Sequence, residues 1–544
     1  MNKTNLKSRA AAAAALLAFC CPVFAGSMQN SVDELLKARK YERGGMGVVV
    51  RDLTNDSIVV AVNADAPMNP ASVQKLITCA AAFELLGPTY AFNTRVYTDG
   101  RFQADSGIIS GNLYVKGGGD PGLNAEKLWL LVQHLRHRGI RKVTGDLLID
   151  NTFFDDVNLG PGFSEEESRS YQALISALPV SYSSVAIHHR PGQATGSPVH
   201  VDIFPKVEGF KVNSTATTIE HGRARLDVST SLNNGVTQIN LRGTMKTDEP
   251  PAYTYRRMWT TWEAFGGAFR AQCADNGIKI EGKTATRRVP DTLVAKGAFY
   301  TFGGEPLTVF VRHMLKWSSN FVAEMLFKTT GAVRFEEPGT WPKGAKAVTE
   351  WWESRGLPGK PLVINGSGMG GESSILRRSA RAREQSASDQ AMDTTELGLT
   401  VAAGAEEESA AAPAPVSGAA AAAPASSTRI ENLVSAGQMV DLLTYVSKQK
   451  SYFPDFLASL PVSGVDGTLS SRFKRSKLKG VVRAKTGTIN SIKVSTLAGY
   501  MLLDDRTYAF AVFCKSVGPN QYDNWIIQEQ ILETVAKTVE GGWK

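Results

Sequence analysis

The sequence predicts an α+β protein in which helices flank a five-stranded antiparallel sheet assembled from both ends of the chain. Near the start, two runs rich in β-branched residues, Gly47–Leu53 and Ser57–Val62, are joined by a short polar turn. Near the end, three further strand patterns cover Val481–Lys485, Val494–Leu503 and Tyr508–Ser516. One sheet built from both groups, with the helices packed on its faces, is an economical way to bury these segments.

Composition narrows the classes of function. Of the 544 residues, 43% are apolar, which is enough for a sizeable core and for more than one domain. Lysine and arginine number 60 against 52 acidic residues, and the net charge of +8 is not gathered in the dense basic blocks of a nucleic-acid-binding protein. Seven histidines and five cysteines without HExxH or CxxC spacing disfavour a zinc enzyme and a disulfide-built module. We expect neither a metal nor a cofactor.

The first 25 residues have the pattern of a signal peptide. Basic residues precede a short apolar stretch, Ala10–Phe19, and small residues around Ala25 resemble a cleavage site. The apolar stretch is shorter than the roughly 18 residues that a membrane span needs. The sequence therefore predicts a cleaved segment over residues 1–25 and a periplasmic mature protein.

The middle of the chain divides into segments of different character. Residues 92–290 alternate short strand patterns with Gly, Pro and Asn turns, so we expect an inserted β-rich domain there. Residues 26–91 and 291–544 would form the domain that contains the central sheet. Within the latter, Gly371–Ser427 is rich in Ala, Pro, Ser and Glu, which predicts a disordered insertion.

Ser72 is the first candidate for chemistry. It precedes a predicted apolar helix, Val73–Leu86, and Lys75 follows one turn later on the same helix face. A lysine kept neutral by burial can accept the serine proton and so activate the hydroxyl as a nucleophile. The S-x-x-K spacing alone is weak, because three other matches lie in polar stretches rich in Lys and Arg. Taken alone, Ser72 is equally well explained as a helix N-cap.

Ser318 and Asn320 form a second candidate pair, at a predicted turn between two apolar helices. A hydroxyl and an amide presented two residues apart can relay a proton and hold a substrate amide. Two other segments share the S-x-N spelling but lie in strand-and-turn patterns. The alternative interpretation of this pair is helix capping.

The third candidate is the only Lys-Thr-Gly in the chain, at the end of an apolar run. Lys485 and Thr486 could anchor a carboxylate, and Gly487 leaves room for an extended peptide alongside the strand. The backbone N–H of Thr488 could serve, with that of Ser72, as a donor to an oxyanion. The alternative is a charged residue on an edge strand followed by a turn.

The three motifs are weak separately and specific in combination. Their order, S-x-x-K, S-x-N and K-T-G, is the signature of serine β-lactamases and penicillin-binding proteins. The chain resembles the D-alanyl-D-alanine carboxypeptidase/endopeptidase family, the class C low-molecular-mass penicillin-binding proteins, which insert domains between the first two motifs. Here that interval is 318 − 72 = 246 residues. Three further stretches fit the family: Asn69–Leu76, Lys116–Pro121 and Gly464–Leu469.

The resemblance implies a fold, a substrate and roles for the candidate residues. The fold would be the β-lactamase/transpeptidase-like one, and the substrate the D-Ala-D-Ala end, or the D-amino-acid cross-link, of peptidoglycan stem peptides. Penicillin and other β-lactams would be inhibitors. The implied roles are nucleophile for Ser72, base for Lys75, proton relay for Ser318 and Asn320, and carboxylate binding for Lys485 and Thr486.

Three departures from the family pattern stand out. Ser319 occupies a position where relatives commonly have aspartate, and we expect activity to survive this change. Relatives typically read Asp-Gly-Ser-Gly-Leu-Ser-Arg before a helix, where this chain has Asn365–Met369. The arginine of that loop corresponds to Arg429, so the low-complexity segment is predicted to be inserted inside the loop.

Two other functions are compatible with the same motifs. A serine β-lactamase would use the same nucleophile but needs fast deacylation, and a non-catalytic penicillin-binding or wall-sensing protein would form the acyl-enzyme without peptide turnover. No nucleic-acid partner is expected, whereas a homo-oligomer and a loose association with a membrane surface stay open.

Overall fold

A computed structural model describes residues 26–370, 431–503, 506–517 and 521–539. The predicted signal peptide, the predicted disordered insertion Gly371–Ser427 and Arg429 lie outside the described residues. In the described part of the chain, none of the helices combines the length and the apolar character that crossing a bilayer requires.

Runs of strands and runs of helices follow one another along the chain. The strands are β1 (Met46–Asp52), β2 (Ser57–Val62), β3 (Ala91–Thr98), β4 (Arg101–Gln103), β5 (Ile108–Ser110), β6 (Leu113–Lys116), β7 (Lys142–Val143), β8 (Leu147–Asp150), β9 (Ser184–Arg190), β10 (His200–Phe204), β11 (Lys211–Ser214), β12 (Thr217–Ile219), β13 (Arg225–Asn233), β14 (Val236–Lys246), β15 (Ala252–Arg257), β16 (Lys279–Ile280), β17 (Thr284–Thr286), β18 (Tyr300–Pro306), β19 (Val482–Ile489), β20 (Val494–Leu503) and β21 (Arg506–Lys515). The helices are α1 (residues 26–38), α2 (Gln74–Leu85), α3 (Ala125–His137), α4 (Trp262–Asp275), α5 (Asp291–Lys296), α6 (Leu307–Trp317), α7 (Asn320–Phe335), α8 (Trp341–Ser354), α9 (Ala436–Ser447), α10 (Phe453–Ser459) and α11 (Gln521–Val539).

The central sheet has five antiparallel strands in the order β19-β20-β21-β1-β2, so the last strands of the chain lie beside the first. Successive residues of a strand point to opposite faces. In β1, Val49 faces a core that includes α2, α6, α7, α8 and α9, whereas Val48 and Val50 face α1 and α11. Burial on both faces explains why these strands are almost continuously apolar. The predicted α+β class and the five-stranded sheet are confirmed.

The segment from β3 to β18 forms its own layers between the first and second motifs. It contains the mixed sheets β17-β8-β6-β3-β18 and β16-β7-β5-β4, a three-stranded sheet β10-β9-β15, and a four-stranded sheet in which β11, β12 and β13 pair with β14. A separate core lies between these sheets and helices α3 and α4. Because β18 pairs antiparallel with β3, the chain leaves the inserted segment beside the strand by which it enters. The prediction did not include α4, which contains the helix-disfavouring pair Gly266 and Gly267.

Candidate active site

Ser72 lies in a tight turn, Ala71–Val73, that leads directly into α2. The preceding Ala71 has a φ of +46°, a conformation that costs energy for any residue with a Cβ. Two hydrogen bonds hold the turn in place: the Asn69 side chain accepts from the Ala71 N–H at 2.8 Å, and the Thr496 hydroxyl on β20 donates to the Pro70 carbonyl at 2.8 Å. The central sheet therefore fixes the position of the Ser72 hydroxyl.

Lys75 is fully buried in the first turn of α2, and its partners are all uncharged oxygens. Its Nζ lies 2.8 Å from each of Ser72 Oγ, Asn320 Oδ1 and the Ser367 carbonyl oxygen. Burial lowers the pKa of Lys75 from 10.5 to about 7, although the nearby Glu324 carboxylate opposes this shift. A large fraction of Lys75 is therefore neutral near pH 7.

The geometry around Lys75 suits a neutral amine as well as an ammonium group. A neutral amine has two N–H donors and one lone pair. With the donors directed at Asn320 and Ser367, the lone pair is left for the hydroxyl proton of Ser72. This is the arrangement that a general base for Ser72 needs.

Ser318, Ser319 and Asn320 form the connection between α6 and α7. Ser318 ends α6 with a φ of +59°, and Asn320, besides accepting from Lys75, donates to the Tyr171 carbonyl at 3.1 Å. Ser319 caps α7 by accepting from the Val322 N–H at 3.2 Å. Aspartate caps helices in the same way, so Ser319 can cap α7 as the aspartate common in the family would.

Lys485 on β19 reaches the same place from the sheet. Its Nζ donates to Ser318 Oγ at 2.8 Å and to the Thr486 carbonyl at 2.5 Å, and the side chain is fully buried. Burial, together with the charge of Lys75, lowers the pKa of Lys485. The neighbouring hydroxyl of Thr486 donates to that of Thr468 at 2.7 Å.

Gly487 is where β19 passes closest to the Ser72 turn. A Cβ at this position would lie 2.9 Å from Ser72 N and 2.2 Å from Thr496 Oγ1, so a side chain would push the strand away. β19 is an edge strand whose outer side is bonded to residues 461–463 as far as Ala484, and Thr488 is exposed. From Lys485 onward, the outer edge of β19 offers backbone groups to an extended peptide.

The eight residues that the motifs singled out come together in one place, but the motifs did not include Glu324. This buried carboxylate lies one turn after Asn320 on α7. It accepts hydrogen bonds from Trp341 Nε1 at 2.8 Å and from the backbone N–H groups of Gly366 at 3.0 Å and Ser367 at 2.9 Å. It therefore fixes the loop whose Ser367 carbonyl faces Lys75. A glutamate four residues after Asn320 within an apolar helix was the available signal.

The Asn365–Met369 loop borders the site directly. Gly368 has a φ of +82°, and a Cβ there would lie 1.8 Å from the Ala71 carbonyl oxygen. Asn432 donates to the carbonyl of Asn365 at 3.1 Å and accepts from the N–H of Ile364 at 2.7 Å, which ties the two described sides of this loop together. The loop is part of the support of the Ser72 turn.

Across the described residues, no three His, Cys, Asp or Glu side chains are grouped so as to hold an ion. The three described cysteines, Cys79, Cys273 and Cys514, are free and buried.

Comparison with known proteins gives one family match and consistent relatives. The model of the D-Ala-D-Ala carboxypeptidase 3 (S13) family matches residues 28–392 and 425–536. A D-alanyl-D-alanine carboxypeptidase of Actinomadura sp. (strain R39) is 28% identical over 500 residues, which are 89% of this chain and 80% of the relative. The D-alanyl-D-alanine carboxypeptidase DacB of Haemophilus influenzae is 23% identical over 496 residues, 89% of this chain and 87% of the relative.

Solved structures resemble the fold. Penicillin binding protein 4 (dacB) from Haemophilus influenzae superimposes with a TM-score of 0.69 at 22% identity, covering 92% of this chain and 99% of that one. The same protein complexed with a β-lactam gives a TM-score of 0.66 at 21% identity, with coverage of 93% and 99%.

Proposed function

Since the chain belongs to the D-Ala-D-Ala carboxypeptidase 3 (S13) family and is a D-alanyl-D-alanine carboxypeptidase, we propose that Ser72 is its nucleophile and Lys75 the base that activates it. The observation that carries this proposal is the 2.8 Å hydrogen bond between Lys75 Nζ and Ser72 Oγ, made by a fully buried lysine whose other partners are neutral. No other residue type is needed to remove the serine proton.

The acylation step uses the groups around Ser72 in turn. Ser72 Oγ attacks the carbonyl carbon of the penultimate D-alanine while its proton passes to Lys75 Nζ. The backbone N–H groups of Ser72 and Thr488 stabilise the negative oxygen of the tetrahedral intermediate. The C–N bond then breaks, and the leaving amine takes a proton along the relay lined by Ser318 and Asn320. The products are an ester on Ser72 and free D-alanine.

Deacylation reverses the proton path. Lys75, again neutral, removes a proton from a water molecule that attacks the ester carbonyl, and the Ser72 oxygen regains a proton as the C–O bond breaks. The product is a stem peptide shortened by one residue. In the same position a β-lactam carbonyl would acylate Ser72.

Lys485 and Thr486 supply the recognition of the substrate end. A protonated Lys485 beside a hydroxyl binds the terminal carboxylate, and its burial strengthens the attraction. Because β19 is an edge strand, the D-alanyl residues lie along it as an additional strand. Peptidoglycan stem peptides, with free D-Ala-D-Ala ends or cross-linked through D-alanine, have this chemistry. A periplasmic location, predicted from residues 1–25, would place the enzyme with this substrate; N-terminal sequencing of the secreted protein tests the cleavage after Ala25.

The test is to label the purified protein with fluorescent penicillin and to follow D-alanine release from a pentapeptide stem by mass spectrometry. We expect Ser72→Ala to lose the label and to reduce turnover by about 10³-fold or more. Ser471→Ala, which alters another S-x-x-K serine, is the matched control and should retain both activities. Labelling of a serine other than Ser72 would overturn the assignment, and a stable label without peptide turnover in the wild type would indicate a penicillin-binding sensor instead.

A further inference from the structure

A second cleft opens beside the catalytic centre, on the side of Lys485 and Thr486. It has a volume of about 510 Å³, and its walls are the outer face of α6 and the loop of residues 465–470. A Cβ at Gly467 would lie 2.6 Å from the Lys316 carbonyl oxygen, so the loop packs directly on the last turn of α6. The cleft is thus a fixed feature formed by two rigid segments.

The cleft begins where the carboxylate-binding end of the catalytic centre stops. Trp317, which lines the cleft, immediately precedes Ser318, and Gly467 immediately precedes Thr468. Ser318 is hydrogen-bonded to Lys485, and Thr468 is hydrogen-bonded to Thr486. A substrate that continues beyond its D-amino-acid carboxylate would therefore enter this cleft.

The lining is mixed, with exposed apolar side chains and one available cation. The Trp317 side chain is 67% exposed and Val465 is 59% exposed, both unusually high for such residues. Lys316 is committed to Asp466 at 2.6 Å and to the Leu460 carbonyl, so it is already neutralised. Arg312 is exposed and has no carboxylate within ion-pair distance among the described residues. Its guanidinium is suited to a carboxylate supplied by a ligand.

We propose that this cleft binds the leaving half of a cross-linked peptidoglycan dimer, with Arg312 pairing to a carboxylate of that second stem and Trp317 packing against its aliphatic part. The inference rests on the proposed function. When the substrate ends in D-Ala-D-Ala, the leaving amine is free D-alanine and nothing reaches the cleft. When the scissile bond is a cross-link, the same C–N bond breaks, but the amine that takes the proton belongs to a second peptide stem that extends outward.

The experiment compares two substrates on the full-length protein, a pentapeptide monomer and a purified cross-linked muropeptide dimer. We expect Arg312→Ala to lower the ratio of dimer to monomer kcat/KM roughly tenfold or more, as for the loss of one charge-assisted contact. Arg312→Lys should recover part of the ratio, because it keeps the charge without the planar fork. Arg223→Ala, which removes an exposed arginine of the inserted segment, is the matched control and should leave the ratio unchanged.

Each outcome separates the two proposals. Equal losses on both substrates, or no loss on either, would overturn the assignment of the cleft while leaving the role of Ser72 intact. A wild-type enzyme that releases D-alanine from the monomer but leaves the dimer uncut would do the same. If neither substrate is cleaved and penicillin is not bound, the proposed function itself fails.

Discussion

The catalytic centre and the inserted segment are built from contacts of very different range. In the catalytic centre, Lys75 bonds to Asn320 across 245 residues and to Ser367 across 292, and Lys485 bonds to Ser318 across 167. The inserted segment instead completes its own sheets and core between β3 and β18. The inserted segment thus folds around a core of its own but still reaches the site through the Tyr171 carbonyl, which accepts from Asn320. The site forms only when distant parts of the chain come together.

The catalytic centre and the inserted segment also differ in the partners of their lysines. In the inserted segment, lysines such as Lys142 and Lys206 form partly exposed pairs with Glu281 and Asp275 at 3.0 Å. In the catalytic centre, Lys75 and Lys485 are fully buried and contact only neutral oxygens. Burying an unpaired cation costs free energy, so these two lysines weaken the fold where they serve the reaction. The inserted segment thus pairs such lysines near its surface, whereas the catalytic centre holds its two lysines on neutral oxygens.

The largest loss of activity should follow replacement of Lys75, the buried lysine that is hydrogen-bonded to Ser72. We expect Lys75→Ala to slow penicillin acylation by about 10³-fold or more, because no other described base is hydrogen-bonded to Ser72. Stopped-flow acylation kinetics measure this directly. Lys474→Ala, in an exposed S-x-x-K match, is the control, and a comparable loss there would contradict the distinction between the two lysines.

Replacement of Lys485 should reduce activity on substrates with a terminal carboxylate more than on substrates without one. Lys485→Ala should reduce kcat/KM for D-Ala-D-Ala peptides by roughly a hundredfold, because one side of a charge-assisted pair is lost. Hydrolysis of a neutral ester that lacks the terminal carboxylate should change much less. Equal losses on both substrates would show that Lys485 acts on the fold or on the pKa of Lys75 rather than on carboxylate binding.

A pair of core substitutions tests the independence of the two regions. Phe269→Ala in the inserted core and Phe327→Ala beside Gly366 each remove a fully buried ring, and each should lower the free energy of unfolding by about 3–5 kcal/mol. Only Phe327→Ala should also slow acylation in the folded protein, by roughly tenfold or more, because it loosens the loop that faces Lys75. Denaturant unfolding and acylation rates, measured on the same samples, test both expectations. Slowed acylation in Phe269→Ala would show that the inserted core is coupled to the catalytic centre.

The smallest expected effect is a shift in the pH dependence of kcat/KM. Because Lys75 must be neutral to accept the proton and its pKa is lowered to about 7, kcat/KM should rise with pH through about 7. The negative charge of Glu324 raises the pKa of Lys75, so Glu324→Gln should move this rise to lower pH, by up to about one unit. The pH–rate profile is the measurement, with Glu350→Gln at the surface as the control. An unchanged profile would show that the charge of Glu324 does not reach Lys75, and a rise that moves to higher pH would contradict the expected sign.

Local pattern in the sequence was enough to predict the sheet and the three motifs. The apolar and β-branched content of the strands identifies the strand segments, and the ordered motifs distinguish Ser72 from the other S-x-x-K serines. These features depend on residue types within a few positions of one another. They are therefore visible before the chain has folded.

Tertiary structure alone decided how the site is supported and how far it extends. Lys75 is directed by the carbonyl of Ser367, a backbone atom that every residue possesses, and that loop is held by Glu324 on a different helix. Likewise, the cleft beside Arg312 exists only because the loop around Gly467 packs on α6. Burial and proximity between distant segments, which set the pKa of Lys75, arise only once the chain is packed.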